Sequence, residues 1–220
     1  MLKREGGSEM IPHSMSVRAQ TLPMVGTLTR LCKGLGELGT LIREDWATNS
    51  CDWTMPGFRA IAVHRFGTWV SNRRGGVPKS VLMCLYRSLY RFVRNHYGVE
   101  IPLSVVLGRR VSIVHQGGIV FHWRAEIGDD CVIRHNVTVG AGYGGQKTLN
   151  TGPKLGKGVE VGTGAVILAG VKIGDGAFIG PNVTVMSDVP AEARVFAEAP
   201  RVIRLPDPAH AVRKVSGLES

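Results

Sequence analysis

Apolar residues recur every six positions through the second half of the chain. Large ones stand at Ile101, Leu107 and Ile113, then at Phe121, Ile127, Ile133 and Val139, and again from Leu155 through Val161, Ile167, Ile173, Ile179 and Val185. A smaller apolar residue sits two places earlier in most units, as at Val105, Val111, Ala125, Cys131, Val137, Ala165 and Ala177. Residues i and i−2 of a strand face the same way. Each unit therefore sends one large and one small side chain inward. A helix needs apolar spacings of three and four, so a sustained beat of six predicts a parallel β-helix instead. Three units close one triangular coil, glycine or polar residues turn its corners, and coils stack at about 4.8 Å.

The beat breaks twice. Eight residues separate Ile113 from Phe121, which predicts a small bulge near His115. Sixteen separate Val139 from Leu155, which predicts a loop leaving the coil over 140–154. Loops on a rigid scaffold commonly carry function. Two phosphate-binding look-alikes in this loop fail. Gly140, Gly142 and Gly145 spell GxGxxG, but no helical pattern follows. Gln146 separates Gly145 from Lys147, so the near P-loop is interrupted.

Four segments follow from these patterns. Residues 1–37 have weak periodicity and predict a weakly ordered N-terminal arm, either poorly ordered or a short helix. Residues 38–98 read as a small α-helical domain, 99–186 as the β-helix, and 187–220 as a proline-containing tail. In the helical domain, Leu82, Leu85, Leu89, Phe92 and Val93 recur at helical spacing, with Arg87, Arg91 and Arg94 on another face. The apolar face is expected to pack on its neighbours and leave the arginines to solvent. Contact with a membrane surface is the alternative.

Charge adds a further constraint. The 220 residues include 27 Lys and Arg against 17 Asp and Glu, a formal charge of +10. That balance suits an anionic partner or a solvated basic surface. No aromatic-and-basic nucleic-acid module is visible, so no nucleic-acid partner is expected. The four cysteines form no CxxC pair, and Cys131 falls on an inward position. Neither a metal site nor a disulfide framework is expected, which fits a reducing cytoplasm. No run approaches the roughly 20 apolar residues of a membrane span, and no apolar stretch follows Lys3 and Arg4 as a signal peptide would require.

Several local sequences carry a family resemblance. They are His115-Gln-Gly-Gly-Ile-Val, Ile133-Arg-His-Asn-Val-Thr-Val-Gly140 and Pro153-Lys154-Leu155-Gly156, preceded by Gly57-Phe-Arg-Ala-Ile-Ala-Val-His-Arg65 and Tyr97-Gly-Val-Glu-Ile-Pro102. Together they resemble serine O-acetyltransferases, especially the short members associated with exopolysaccharide genes. The resemblance implies a left-handed parallel β-helix, a homotrimer or hexamer, and acetyl-CoA as co-substrate. It also implies a histidine that takes the proton of the acceptor hydroxyl and a carboxylate that orients it. His115 matches that histidine, and Glu100, fifteen residues earlier, falls where the family has an aspartate. The chemistry fits these residue types. A hydroxyl is a weak nucleophile until a base removes its proton, imidazole titrates near the working pH, and a carboxylate fixes its tautomer.

For acetyl-CoA the resemblance points to Ala141, Thr163 and Pro181, small residues beside the pantetheine arm. For the acceptor it points to an aspartate of the helical domain, Asp45 or alternatively Asp52. His122 and His135 read as supporting or surface residues, and His64 with Arg65 as structural. Departures from the family are specific. Thr151 and Gly152 replace an Arg-His pair that helps hold the serine carboxylate, and Val114 replaces an aspartate before the histidine. Lys147, Asn150 and Thr151 are the candidates to stand in, through charge and hydrogen bonds. The chain ends Gly217-Leu-Glu-Ser220, without the isoleucine that some members use to bind cysteine synthase, so that complex is not expected. The expected activity is O-acetyl transfer to L-serine or a close analogue, in cysteine biosynthesis. A sugar hydroxyl of a polysaccharide precursor is the alternative acceptor, and a non-catalytic trimeric scaffold a further alternative.

Overall fold

The six-residue beat becomes three parallel sheets, one for each face of a left-handed β-helix. The structure, a computed structural model, describes residues 24–142 and 150–199. The first face stacks Val99–Glu100, Ile119–Phe121, Thr138–Val139, Val166–Ile167 and Thr184–Val185. The second stacks Val106–Leu107, Glu126–Ile127, Lys154–Leu155 and Lys172–Ile173. The third stacks Ser112–Val114, Val132–Arg134, Glu160–Val161, Phe178–Ile179 and Arg194–Val195.

The predicted inward positions fill the core. Ile133, Ile167 and Ile179 are fully buried, as are their small partners Cys131, Ala165 and, at 1% exposed, Ala177. Ile127 pairs with Leu155 across the long interval in the beat, so the loop leaves and returns without shifting the register. Cys131 is a core residue. Its thiol donates to the Gly156 carbonyl at 3.1 Å, and burial pushes its pKa to about 11. A thiol held neutral in this way is a poor nucleophile and a poor metal ligand.

Two boundaries differ from expectation. The coil continues past Met186, through a parallel bridge from Ile173 to Val189 and the strand Arg194–Val195. Sequence reading missed these because the beat weakens among Pro190, Ala191 and Glu192. Helix α1 spans Met24–Thr48, so it begins well before residue 38. Leu28, Leu31, Leu35 and Leu38 were its signal, diluted by the intervening glycines.

Helices α2, Pro56–Ser71, and α3, Val77–Phe92, follow, and a π-helical turn, Val93–Tyr97, leads into the coil. Pro56 opens α2 where its missing N–H costs nothing. The helices are fastened to the first coil by specific bonds. Asn49 donates from Nδ2 to the Val111 carbonyl at 3.0 Å and accepts from the Ile113 N–H at 3.1 Å. Arg65 donates to the Leu107 carbonyl at 2.7 Å and to that of Gly108. Gly57 lies so close to the third face that a Cβ there would stand 2.8 Å from Ile113 Cβ. The segment that presents His115 is therefore held from above by α1 and α2.

Helix α3 does not pack its apolar residues as expected. Tyr86 and Val93 are buried, but Leu85, Leu89 and Phe92 are exposed. Gly67 of α2 receives the Tyr86 ring, and that contact turns a different side of α3 inward.

Candidate active site at a coil corner

The third face turns into the first at a corner built from the bulge. His115, Gly117 and Gly118 all have positive φ there, of 63°, 105° and 64°. This left-handed backbone swings the chain outward and leaves the His115 side chain exposed. The next coils stack on the same corner. Asn136 N–H donates to the Gly117 carbonyl, Gly164 N–H to that of His135, and Asn182 N–H to that of Thr163. His115, His135, Thr163 and Pro181 therefore form a column up one edge of the prism.

His115 and His135 touch. Their rings meet edge to face with centroids 5.6 Å apart. The Nδ1 of His135 is buried and has no hydrogen-bond partner among the described residues. Sequence reading set His135 aside, yet a signal was present. Twenty residues separate the two histidines, one eighteen-residue coil plus the two extra residues of the bulge.

Glu100 lies one coil beneath, on the first face opposite Val120. Val99 and Ile101 point inward on either side of it, so its carboxylate points out. That carboxylate accepts from the Tyr90 hydroxyl at 3.5 Å. Among the described residues no hydrogen bond joins it to His115.

The other corner candidates sit elsewhere. Ala141, Asn150 and Thr151 lie where the first face turns into the second, at the root of the long loop. Lys147 falls outside the described residues. At this corner a groove of about 470 Å³ is lined by Ser104, Val106, Trp123, Asn150 and Thr151, among others. Its cations are engaged: Lys154 pairs with Glu126 at 2.6 Å, and Arg124 lies over the Trp123 ring at 4.4 Å. The loop corner and the histidine corner are a whole face apart, about 17 Å for five extended residues.

Asp45 lies away from both corners. It is 1% exposed and bonded to Arg65 at 2.8 Å, inside the joint between α1, α2 and the first coil. Burial pushes its carboxyl above the usual range, with Arg65 pulling the other way. A carboxylate so enclosed fastens the helices to the first coil. The alternative, Asp52, is near the surface and accepts from the Thr54 N–H and hydroxyl, both at 2.7 Å.

Known proteins share this sequence and architecture. Residues 152–186 match the bacterial transferase hexapeptide family (six repeats). The serine acetyltransferase of Helicobacter pylori (strain 26695) is 34% identical over 170 residues, which cover 76% of this chain and 94% of that protein. The chain belongs to the serine acetyltransferase family. A second kind of relative within reach of this family is the acetyltransferase WcaB of Escherichia coli K12, provisionally named for colanic acid biosynthesis. It is 32% identical over 164 residues, covering 72% of this chain and 96% of WcaB. Among solved structures, serine acetyltransferase (CysE) of Neisseria gonorrhoeae in complex with serine is 28% identical with a TM-score of 0.62, covering 76% of this chain and 70% of that one. Longer family members extend beyond it. The chain spans 61% and 57% of the length of the serine acetyltransferases of Mycobacterium tuberculosis and Synechococcus elongatus.

Among the described residues, no helix is long and apolar enough to cross a membrane, and no three His, Cys, Asp or Glu side chains gather as a metal site would need.

Proposed function

We propose that this chain is a cytoplasmic, acetyl-CoA-dependent O-acetyltransferase whose acceptor is L-serine or a close analogue. The observation that carries the reading is His115, thrust outward by a left-handed bulge where the sequence resembles the family's histidine segment. As a neutral imidazole it takes the acceptor hydroxyl proton while that oxygen attacks the thioester carbonyl of acetyl-CoA. The new C–O bond forms, the C–S bond breaks, and the proton passes to the departing thiolate to give free CoA. Glu100 is the orienting carboxylate. Its contact with Tyr90 is long at 3.5 Å and weak enough to give way when substrate closes the site.

Acetyl-CoA lies along the corner column, with Thr163 and Pro181 beside the pantetheine arm. Ala141 and the acceptor-binding candidates Lys147, Asn150 and Thr151 belong to the loop corner, a face away within one chain. A ring of copies joins unlike patches head to tail. A homotrimer of this kind sets the loop corner of one copy against the histidine corner of the next and completes the site.

A sugar hydroxyl is the second reading, and Trp123 favours it. This ring is 43% exposed in the loop-corner groove, beside Asn150 and Thr151, where an apolar sugar face could stack. Thr151 and Gly152 also stand where the resemblance has the arginine and histidine that help hold an amino-acid carboxylate.

An acceptor screen that reads CoA release tests both. L-serine, homoserine and N-acetylated sugars are offered to the purified protein with acetyl-CoA. Serine turnover abolished by His115→Ala supports the first reading. Sugar turnover without serine turnover replaces it with the second, and silence with every acceptor leaves a scaffold.

A further inference from the structure

The turn between α1 and α2 is strained and tied to the His115 corner. Two consecutive residues there, Ser50 and Cys51, hold left-handed backbone at φ 61° and 54°. Neither is glycine, so each costs free energy that the surroundings must enforce. Asn49 enforces it. Its buried amide bonds to the Val111 carbonyl and the Ile113 N–H and clamps the turn to the strand that leads into His115. Arg59 adds a second clamp. It donates from Nε to the Trp53 carbonyl at 2.7 Å and from Nη1 to the Tyr97 hydroxyl at 2.8 Å. Tyr97 precedes Gly98, where a Cβ would stand 3.2 Å from Gly117 Cα in the bulge. Turn, strand and bulge therefore form one continuous wall. The turn presents two side chains. The Trp53 ring lies 5.7 Å between centroids from Trp46 and meets Phe58 edge to face at 5.2 Å, yet it is 60% exposed. Both bonds from Thr54 reach one Asp52 oxygen, Oδ1, and Oδ2 has no hydrogen-bond partner among the described residues.

We propose that Trp53 is a specificity-determining residue for the acceptor. Its indole takes the C–H face of a sugar ring, and Asp52 Oδ2 accepts from a hydroxyl of the same ring. A fixed, open aromatic face beside an unbonded carboxylate oxygen matches both halves of a sugar. Serine has a single methylene to lay on an indole and gains little from it. A protein surface is the poorer occupant, because covering the indole would also strip water from Oδ2 and would have to bring a donor to replace it. The inference rests on the second reading of the acceptor, transfer to a sugar hydroxyl. It is separate from the part given to Trp123, which stands at the loop corner.

Two measurements on the full 220-residue protein test it. Saturation-transfer NMR reads binding of the methyl glycosides of glucose, galactose and N-acetylglucosamine without needing turnover. CoA release reads turnover of the same sugars and of L-serine. At least one sugar should bind and turn over. Trp53→Ala should lower its kcat/KM roughly tenfold or more, through KM, and leave the KM for acetyl-CoA unchanged. Trp53→Phe keeps an aromatic face and should recover most of the loss. Sugar turnover that Trp53→Ala leaves unchanged would overturn the role of Trp53 while the sugar reading stands. Turnover of serine alone, or no binding of any sugar, would overturn both. Equal losses in Trp53→Ala and Trp53→Phe, or a parallel rise in the KM for acetyl-CoA, would make Trp53 a packing residue of the turn. A fall in particle mass by light scattering for Trp53→Ala would make it a contact between copies and overturn the proposal as well.

Discussion

The ring of His115 meets that of His135 edge-on, 5.6 Å between centroids, across one turn of the coil. The contact limits how far the His115 ring can swing, while its own corner leaves it open to solvent. Only His115 stands on the bulge. His115→Ala should therefore lower turnover by roughly 10²–10⁴, the span for losing a general base, with little change in melting temperature. His135→Ala should cost far less, because it removes a neighbour and not the base. Glu100→Gln should fall between them, since it keeps shape but loses the charge that favours the imidazolium. Steady-state kinetics on the three variants decide the order. A loss at His115 no larger than at His135 would remove His115 from its role.

Much of this was legible from spacing alone. The beat located the inward residues, and its two interruptions located the bulge and the loop, because an inserted residue in a coil must be expelled sideways. Partners one coil apart were harder to see. His115 with His135, and Asn49 with Ile113, meet only once coils and helices are stacked. The α3 stripe was misjudged for a related reason. Amphipathicity shows that a helix has an apolar face, but Gly67 and Tyr86 decide which side of α3 turns inward. The placement of Asp45 was equally hidden, since a carboxylate twenty residues from an arginine shows no periodic signal.

The core makes a direct test of register. Ala177 is 1% exposed, inside the coil, whereas Lys172 points to solvent on the second face. Ala177→Leu should destabilise by roughly 1–3 kcal/mol through overpacking, and Lys172→Leu by under about 0.5 kcal/mol. Urea unfolding compares them. Similar losses at the two sites would contradict the assigned faces.

Acid sensitivity should trace partly to His64. It is 3% exposed, and among the described residues neither ring nitrogen makes a well-formed hydrogen bond, although the Val105 and Pro102 backbone lies close enough to offset part of the burial effect. Burial, helped by the neighbouring Arg65 charge, lowers its pKa from 6.5 to about 4. Between those values the unfolded chain binds more protons, so stability falls as pH drops through that window. The loss between pH 7 and 4.5 is roughly 2 kcal/mol. Comparing wild type with His64→Leu isolates the histidine's share. The variant should lose less stability over this range, and an unchanged slope would rule His64 out.

The buried pair Asp45–Arg65 distinguishes a fastening from a binding residue. The two side chains are 1% and 7% exposed and 2.8 Å apart. Arg65 also serves the Leu107 and Gly108 carbonyls, so its guanidinium bridges the helices and the first coil. Asp45→Asn leaves that cation enclosed without its counter-charge, which should cost roughly 3–5 kcal/mol. The folded fraction should keep its KM for the acceptor, because nothing at the His115 corner has lost a contact. Asp52→Asn should do the reverse of this in degree. Its carboxylate is near the surface and bonded only locally to Thr54, so stability should change little. Any rise in acceptor KM from the helical layer should therefore appear at Asp52. Thermal melts and acceptor titrations on both variants settle the assignment. An Asp45→Asn protein that melts like wild type but shows a raised acceptor KM would return Asp45 to the binding site.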